Sequence, residues 1–304
     1  MGFYNYNKSG VGIAKNSEKK TGAKLFFDIL WRKIWNIFQL NMIFWLFTLP
    51  LMTVPMALSI NNTLISEIIV VLLIVAFVVL IGPAMAGMSR VMRMFIIEKH
   101  CFVFSDFMKG FRTNFKKACI IGILDCVAVL SAIGSIKIYP ALSVEYGSKL
   151  MYIPMVIALS IALVFLMMNF YIYLMLVATN LSMKNLLKNS FALAFVAIKS
   201  NFITLLFIIL LVGLMALLFL FLTPVFIFVF PFFPAALICF ITTFNCYPVI
   251  QKYIIDPYYT SIGQVNPEHI NAAELSDEET LFEDMGGKEQ PIDNRKKGKG
   301  KRIS

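Results

Sequence analysis

Long apolar segments recur six times along this chain, and each is long enough to cross a lipid bilayer. A membrane-spanning helix needs about 20 apolar residues at a rise of about 1.5 Å per residue. The chain is 59% hydrophobic with a mean hydropathy of +0.80, whereas roughly half of a soluble domain is apolar. The sequence therefore predicts an all-α, polytopic membrane protein with six transmembrane helices. The predicted spans are about 37–59, 65–88, 118–139, 151–179, 202–222 and 225–247.

The basic residues set the expected orientation of these spans. With six crossings, all but two of the 27 Lys and Arg residues fall on one side of the membrane, the exceptions being Lys137 and Lys149. Positive charge near the ends of spans is retained in the cytoplasm. We therefore expect a multi-pass membrane protein with a cytoplasmic N-terminus and C-terminus. Residues 202–247 carry no charge, and a single crossing there would place the basic C-terminus outside.

The composition divides the chain into three regions. Residues 1–36 are predicted to be a cytoplasmic leader with an amphipathic helix, 37–250 the transmembrane domain, and 251–304 a cytoplasmic, largely disordered tail. The tail joins an acidic block to a basic end and has few large apolar residues, so it cannot bury a core. Its basic end is a candidate site for anionic lipid, and a solvated tail is the alternative. The candidate lipid-binding residues are Arg295, Lys296, Lys297, Lys299, Lys301 and Arg302.

Three stretches on the expected cytoplasmic side combine basic and apolar residues at helical spacing. They are 24–36, 104–117 and 184–199. Each is predicted to be an amphipathic helix that lies along the cytoplasmic membrane interface and packs around the inner ends of the spans. In the last stretch, Phe191 and Phe195 are assigned to the apolar face, opposite the lysines.

Each of these stretches enters the following span through a basic residue and an asparagine. The asparagines are Asn36, Asn114 and Asn201, which we predict to cap the helices that start there, because Asn is a good cap for exposed amides. The recurrence is consistent with three repeated units, each an interfacial helix followed by a two-span hairpin. The alternative is that any span entering from the cytoplasm begins with a basic, capped junction.

Polar residues inside the predicted spans mark the candidate functional sites. Asp125 is the one carboxylate within a span, and Asn169 lies at a comparable depth on the fourth span. An aspartate at mid-helix costs about 2.5–3.5 kcal/mol on insertion scales, so it should face the bundle or a wet cavity. A structural hydrogen bond, a proton or substrate site, and a side chain reaching the headgroups all remain open. Pro50 and Pro55 predict either a kink or a broken-helix binding site in the first span.

Motifs of catalysis and of nucleic-acid binding are absent from the sequence. The two histidines, His100 and His269, are far apart, and no metal-ligand spacing, phosphate-binding glycine loop or nucleophile elbow occurs. The net charge of +10 is explained by topology, since nucleic-acid binding would need a soluble basic domain. We therefore expect no enzymatic activity, no cofactor and no nucleic-acid partner.

Four segments in order resemble the YesL-like family of bacterial membrane proteins. They are LFTLPLMT (46–53), GPAMAGMSRVMR (82–93), FSDFMKGFRTNFKKA (104–118) and LSMKNLLKNSFALAF (181–195). The resemblance runs from about residue 20 to 255. It implies a multi-span protein of a bacterial plasma membrane and of unknown function. Members are often encoded beside carbohydrate ABC-transporter components, which implies a link to sugar uptake.

Two hypotheses of function follow. The first is a non-catalytic accessory component of a membrane complex, with the lipid bilayer and an ABC-type sugar transporter or other membrane proteins as partners. The second is a small-molecule transporter or channel with its site near Asp125. The sequence leaves the oligomeric state open.

Overall fold

The computed structural model describes residues 21–60 and 63–268, and all regular secondary structure within them is helical. The helices are α1 (Gly22–Met52), α2 (Val54–Leu58), α3 (Thr63–Ile96), α4 (Val103–Thr113), α5 (Phe115–Glu145), α6 (Tyr152–Ala178), α7 (Met183–Val196), α8 (Ile198–Phe221), α9 (Thr223–Val229), α10 (Pro234–Ile250) and α11 (Asp256–Ser261). Among the described residues, six helical segments are long and apolar enough to cross a membrane. The predicted class, an all-α protein with six spans, is confirmed.

Two predicted boundaries differ from the structure. The stretch 24–36 is the first part of one continuous helix, α1, because no residue in it interrupts helical geometry. The last span begins at Pro234 rather than near 225, since Pro231 interrupts the chain after the short helix α9 and Pro234 occupies the first position of α10. Its helix continues through a π-helical turn (Gln251–Ile255) and α11 to Ser261.

The described residues divide into two units, one up to Pro257 and one from Tyr258 onwards. The described part of the second unit ends in a turn in which the Glu268 amide donates to Asn266 Oδ1 at 3.0 Å. The candidate lipid-binding residues of the tail lie outside the described residues, as does His269.

The first unit is built from three antiparallel hairpins, α1–α3, α5–α6 and α8–α10. Their second helices, α3, α6 and α10, contact one another. Helix α4 packs on α3 and α7 packs on α6. The start of α1 packs on α10 in the same way, with the Phe26 ring 5.0 Å from Phe240 and 5.1 Å from Phe244. These contacts follow the plan of three units that the sequence indicated.

The side chains at the centre are buried near one end of this unit, where α4 and α7 lie. We call this end the basic end and the opposite end the far end. Large side chains of all three second helices are fully buried there, including Met92, Tyr171 and Tyr247. Towards the far end, apolar side chains such as Leu72 and Leu217 are exposed, which suits contact with lipid tails.

Glycines bring α3, α4 and α5 into backbone contact. A Cβ atom on Gly82 would lie 2.0 Å from the carbonyl oxygen of Ala118, and one on Gly122 would lie 2.8 Å from the Gly82 Cα. A Cβ on Gly110 of α4 would lie 3.0 Å from the Gly87 Cα of α3. Small residues that let backbones touch are a common means of helix association in membranes, where no hydrophobic drive between helices exists.

Asn41 stabilises the interruption between α9 and α10. Its Nδ2 donates to the Pro231 carbonyl at 2.6 Å, and its Oδ1 accepts from the Ala236 amide at 2.8 Å. Both backbone groups lie at a helix break, where intrahelical partners are missing. Asn41 is fully buried, so it supplies hydrogen bonds where water cannot.

Near the prolines of α1 and α2 the helix is interrupted, and a nearby side chain hydrogen-bonds carbonyls at this interruption. The Thr53 hydroxyl donates to the carbonyls of Leu49 at 3.1 Å and Pro50 at 3.0 Å. Threonine hydroxyls commonly take up carbonyls freed near a proline in a span. This pairing favours the kink over the binding site that the sequence left open.

The exposed face of α7 differs from the predicted one. Phe191 and Phe195 are 51% and 53% exposed and lie on the same side as Lys184 and Lys188, which are exposed too. Their spacing of four, three and four residues places all four on one helical face. The predicted opposition of these phenylalanines to the lysines was therefore wrong. The opposite face, with Leu186, is buried.

Helix α4 also divides its aromatic residues between two faces. Phe107 and Phe111 are buried, whereas Phe104 is exposed. The buried pair packs against the protein itself, with the Phe47 ring of α1 at 5.5 and 5.0 Å. The apolar face of α4 is therefore covered by protein.

Candidate functional site

The candidate site is the carboxylate of Asp125 on α5 and the two α6 side chains that bind it. Asn169 Nδ2 donates to Asp125 Oδ1 at 2.6 Å, and the Tyr173 hydroxyl donates to Oδ2 at 2.5 Å. Asn169 and Tyr173 are four residues apart, one turn of α6, so both reach the same neighbour. The structure thus brings together the two residues paired from the sequence and adds Tyr173 as a second donor.

The hydrogen bonding of this cluster is incomplete among the described residues. An ionised carboxylate offers about four lone-pair positions, and two donors occupy them here. Asn169 Oδ1 is buried and has no hydrogen-bond partner among the described residues. Reversing the amide would move the carbonyl towards the carboxylate and break the existing bond. The cluster can therefore accept a further donor.

No described ion pair includes Asp125. The nearest basic residue along α5 towards the basic end is Lys117, roughly 12 Å away along the axis at 1.5 Å per residue. Towards the far end, Lys137 is roughly 18 Å away. Both known donors to Asp125 are neutral side chains, so its charge is not compensated by a cation within these helices.

A groove of about 290 Å³ opens beside Asp125 and Asn169 between α5 and α6. We call it the Asp125 groove. Its other lining residues are apolar: Ala128, Val129, Ala132, Ile133, Ala162, Leu163, Phe165 and Leu166. Val129 and Ile133 are 57% and 49% exposed, so the groove opens on the side of the unit that faces lipid. The small side chains of the alanines leave this space open, and the Asp125 carboxylate lies at one end of it.

The predicted junction caps act differently from expectation. Asn36 lies inside the continuous helix α1 and caps no helix start. Asn114 occupies the N-cap position of α5, but its side chain makes no capping bond there and instead approaches the Gly110 carbonyl at 3.5 Å. The predicted role for both was wrong, because α1 is unbroken and the Asn114 amide nitrogen turns back to α4.

Asn201 is a cap for the end of α7 rather than for the start of α8. Its Nδ2 donates to the carbonyls of Leu193 at 3.3 Å and Ala194 at 2.9 Å. Its Oδ1 accepts from the Tyr171 hydroxyl at 2.5 Å. The last carbonyls of a helix have no intrahelical partner, and a fully buried Asn201 satisfies them while it connects α6, α7 and α8. The predicted cap at the start of α8 was wrong.

A polar cluster at the basic end was not anticipated from the sequence. Arg93 Nε donates to the Tyr247 hydroxyl at 2.7 Å, which joins α3 to α10. Arg32 of α1 pairs with Glu98 at 2.9 Å. Glu98 has a φ of 53°, and the Lys99 amide donates to the Met94 carbonyl at 3.1 Å, the bond of a left-handed helix end. These contacts connect α1, the end of α3 and α10 at the basic end.

Cys101 lies in the loop that follows α3 at this end. Its burial, followed by the nearby carboxylate of Asp106, raises the pKa of the thiol to about 12. All five cysteines of the described residues are free thiols. The neighbouring His100 ring lies 4.7 Å from Phe102, and no group of potential metal ligands occurs in the part of the chain that the structure describes.

Part of the chain is similar to a family of proteins without an assigned function. The model of the family described as "Protein of unknown function, DUF624" matches residues 37–133. These residues comprise α1 from Ile37 onwards, α2, α3, α4 and much of α5, including Asp125. No curated protein and no solved structure matches the chain. The match supports similarity to an uncharacterised family, while the narrower YesL-like name stays a prediction.

Proposed function

We propose that this membrane protein is a non-catalytic accessory component of a membrane complex, and that the Asp125 groove receives a transmembrane helix of a partner. The observation that carries the proposal is an uncompensated carboxylate at the end of an apolar groove that opens towards lipid. A partner helix that fills this groove would carry a Lys, an Arg or another donor at the depth of Asp125.

The other two hairpins support a functional role for Asp125. Asp125 lies eleven residues after the junction residue Asn114, and the equivalent positions after Asn36 and Asn201 hold Phe47 and Val212. A hairpin of this architecture therefore forms without a polar residue at that position. Asp125 raises the free energy of inserting α5 into the membrane, and the formation of the hairpin does not require it.

The energetics favour a donor from outside the chain. A buried polar atom without a partner costs roughly 1–3 kcal/mol, and Asn169 Oδ1 is such an atom. Lipid tails offer no donor, whereas polar side chains of a neighbouring helix do, each contributing roughly 0.6–2 kcal/mol. A partner side chain can reach Asp125 and Asn169 together, because both line the groove.

A small-molecule transporter or channel is the second candidate, and the same unpartnered oxygen favours it. Two features make it the weaker of the two. The groove, at about 290 Å³, is slightly smaller than the roughly 300–1,000 Å³ typical of small-molecule sites. The space where α3, α6 and α10 meet is filled by buried side chains such as Met88 and Tyr171.

We further propose that the basic end faces the cytoplasm of a bacterial cell and that the partner belongs to a sugar importer. The charge distribution supports the first statement, and the resemblance to the YesL-like family supports the second. Reporter fusions should place Lys109 and Lys188 inside and Gly147 outside. The opposite pattern would contradict the orientation and leave the groove unaffected.

Photocrosslinking tests the proposal. A benzoylphenylalanine at Ile133, in the groove, should crosslink to one membrane protein in intact cells. The same probe at Leu72, which is exposed on α3, is the matched control and should label lipid. The crosslink should disappear in Asp125→Lys and return when the basic residue of the partner helix is changed to Asp.

Three outcomes would contradict the proposal. The first is equal labelling of the same protein from Ile133 and Leu72, since contact would then not be specific to the groove. The second is a partner segment that crosses no membrane. The third is flux of a solute into liposomes by the purified chain that Asp125→Asn abolishes, which would favour the transporter.

A further inference from the structure

The exposed face of α7 presents two lysines followed by two phenylalanines. Lys184 and Lys188 occupy its first half, and Phe191 and Phe195 its second. The phenylalanine rings lie edge to face with their centroids 5.0 Å apart. Solvent-exposed aromatic pairs beside basic residues are unusual in water but suit the boundary between headgroups and acyl chains.

These lysines have no anionic partner within the described chain. No Asp or Glu occurs between Glu145 and Asp256. No ion pair of the described residues includes Lys184 or Lys188. The positive charge on this face is therefore uncompensated by nearby side chains, and it complements an anion.

The position of α7 fixes what lies next to this face. The helix connects the ends of α6 and α8, two of the six apolar segments long enough to cross a membrane. Its other face is buried on α6 through residues such as Leu186 and Leu193. Because both flanking helices continue into the bilayer, the exposed face of α7 lies beside the headgroups of the leaflet at the basic end.

We propose that the exposed face of α7 is a binding site for the headgroup of an anionic phospholipid. The ammonium groups of Lys184 and Lys188 bind the phosphate, while the rings of Phe191 and Phe195 insert beside the upper acyl chain. A lysine near an anionic membrane surface contributes about a fivefold gain in association. Two lysines acting together give roughly 30-fold selectivity over a zwitterionic lipid.

A photoactivatable phospholipid tests this site directly. The full chain is reconstituted into nanodiscs that contain a diazirine-bearing phosphatidylglycerol or, separately, the same probe on phosphatidylcholine. After illumination, mass spectrometry measures the labelled fraction of the α7 peptide. We expect the phosphatidylglycerol probe to label it far more than the phosphatidylcholine probe, and the ratio to fall roughly fivefold for each lysine replaced in Lys184→Gln and Lys188→Gln.

The matched controls use lysines of the same chain. The pair Lys137→Gln and Lys149→Gln lies at the far end and should leave the α7 ratio unchanged. The pair Lys184→Arg and Lys188→Arg keeps the charge and should keep the ratio, even if the glutamine pair folds poorly. Equal labelling by both lipids in the wild-type chain would overturn the proposal, as would an unchanged ratio in the glutamine pair. Inorganic phosphate that abolishes the labelling would assign the site to free anions and overturn it too.

Discussion

Gly82→Ala is the sharpest stability test of the helix packing, because a single methyl group would meet the backbone of another helix. The added Cβ would lie 2.0 Å from the Ala118 carbonyl oxygen and 2.8 Å from its carbonyl carbon. Real Cβ contacts essentially never fall below 3.0 Å. The atoms in the way belong to the backbone of α5, so no side-chain rotation relieves the clash.

The magnitude follows from how far the helices must separate. A shift of about 1 Å is needed, and a gap of that size forfeits roughly a quarter to a half of the dispersion energy of the atoms that line it. Overpacking typically costs about 1–3 kcal/mol, and a backbone clash belongs at the upper end. Alanine recovers about 1 kcal/mol of helix propensity. We therefore expect a net loss of roughly 2 kcal/mol.

Gly213→Ala is the matched control within the same chain. A Cβ on Gly213 of α8 would meet nothing within 4 Å, so this change should be neutral or stabilising by up to about 1 kcal/mol. Unfolding of both variants by SDS titration in mixed micelles measures the difference, expected to be roughly 3 kcal/mol. Equal stabilities of the two variants would refute the close contact of α3 with α5.

Three further changes test separate parts of the account. Asn41→Leu should lower stability by about 1–3 kcal/mol for each backbone group left unpaired at the α9–α10 break, measured in the same titration with Asn36→Leu as a near-neutral control. Asp125→Leu should destabilise by roughly 1–3 kcal/mol, because it removes the acceptor for Asn169 and Tyr173, whereas Asp125→Asn should cost less. Cys101 should react with iodoacetamide at pH 8 far more slowly than an exposed cysteine, since its thiol pKa is raised to about 12. Its rate should rise tenfold per pH unit, and Asp106→Asn should accelerate it, because removing the negative charge lowers the thiol pKa.

Each of these has a contradicting outcome. Asn41→Leu as stable as Asn36→Leu would mean that the break does not depend on Asn41. A greater loss of stability in Asp125→Asn than in Asp125→Leu would contradict the role of Asp125 as a hydrogen-bond acceptor. Alkylation of Cys101 at the rate of a cysteine introduced at the exposed position Lys109 would contradict the raised pKa.

The sequence predicted what depends on bulk composition and depth. Apolar length indicated the crossing helices, with the basic C-terminus deciding between one and two crossings in 202–247. The fixed rise of a helix placed Asp125 and Asn169 at a similar depth. It did not predict Tyr173 as the second donor, because depth does not specify which face of α6 meets α5. The close contact of α3 with α5 depends on Gly82, and a count of apolar residues does not reveal it.

Contacts that join residues far apart in the chain could not be inferred either. Asn41 hydrogen-bonds the backbone at the α9–α10 break, nearly two hundred residues later in the chain. Nothing in its local sequence distinguishes it from Asn36, which caps no helix start. The face of α7 was misassigned although the spacing of Lys184 and Phe191 placed them together. Their residue types suggested opposite faces of α7, but the helical period determines which face each residue occupies.

The most direct test of the account is the mass of the particle that carries this chain when native membranes are dissolved into polymer-bounded discs. We expect the wild-type chain to be released with one membrane partner in fixed stoichiometry. Asp125→Lys should be released alone while its helical circular dichroism is unchanged, because the groove would then repel the basic residue of the partner helix. A wild-type chain released alone, or an Asp125→Lys chain that keeps the same partner, would contradict the proposal that the Asp125 groove is a docking site.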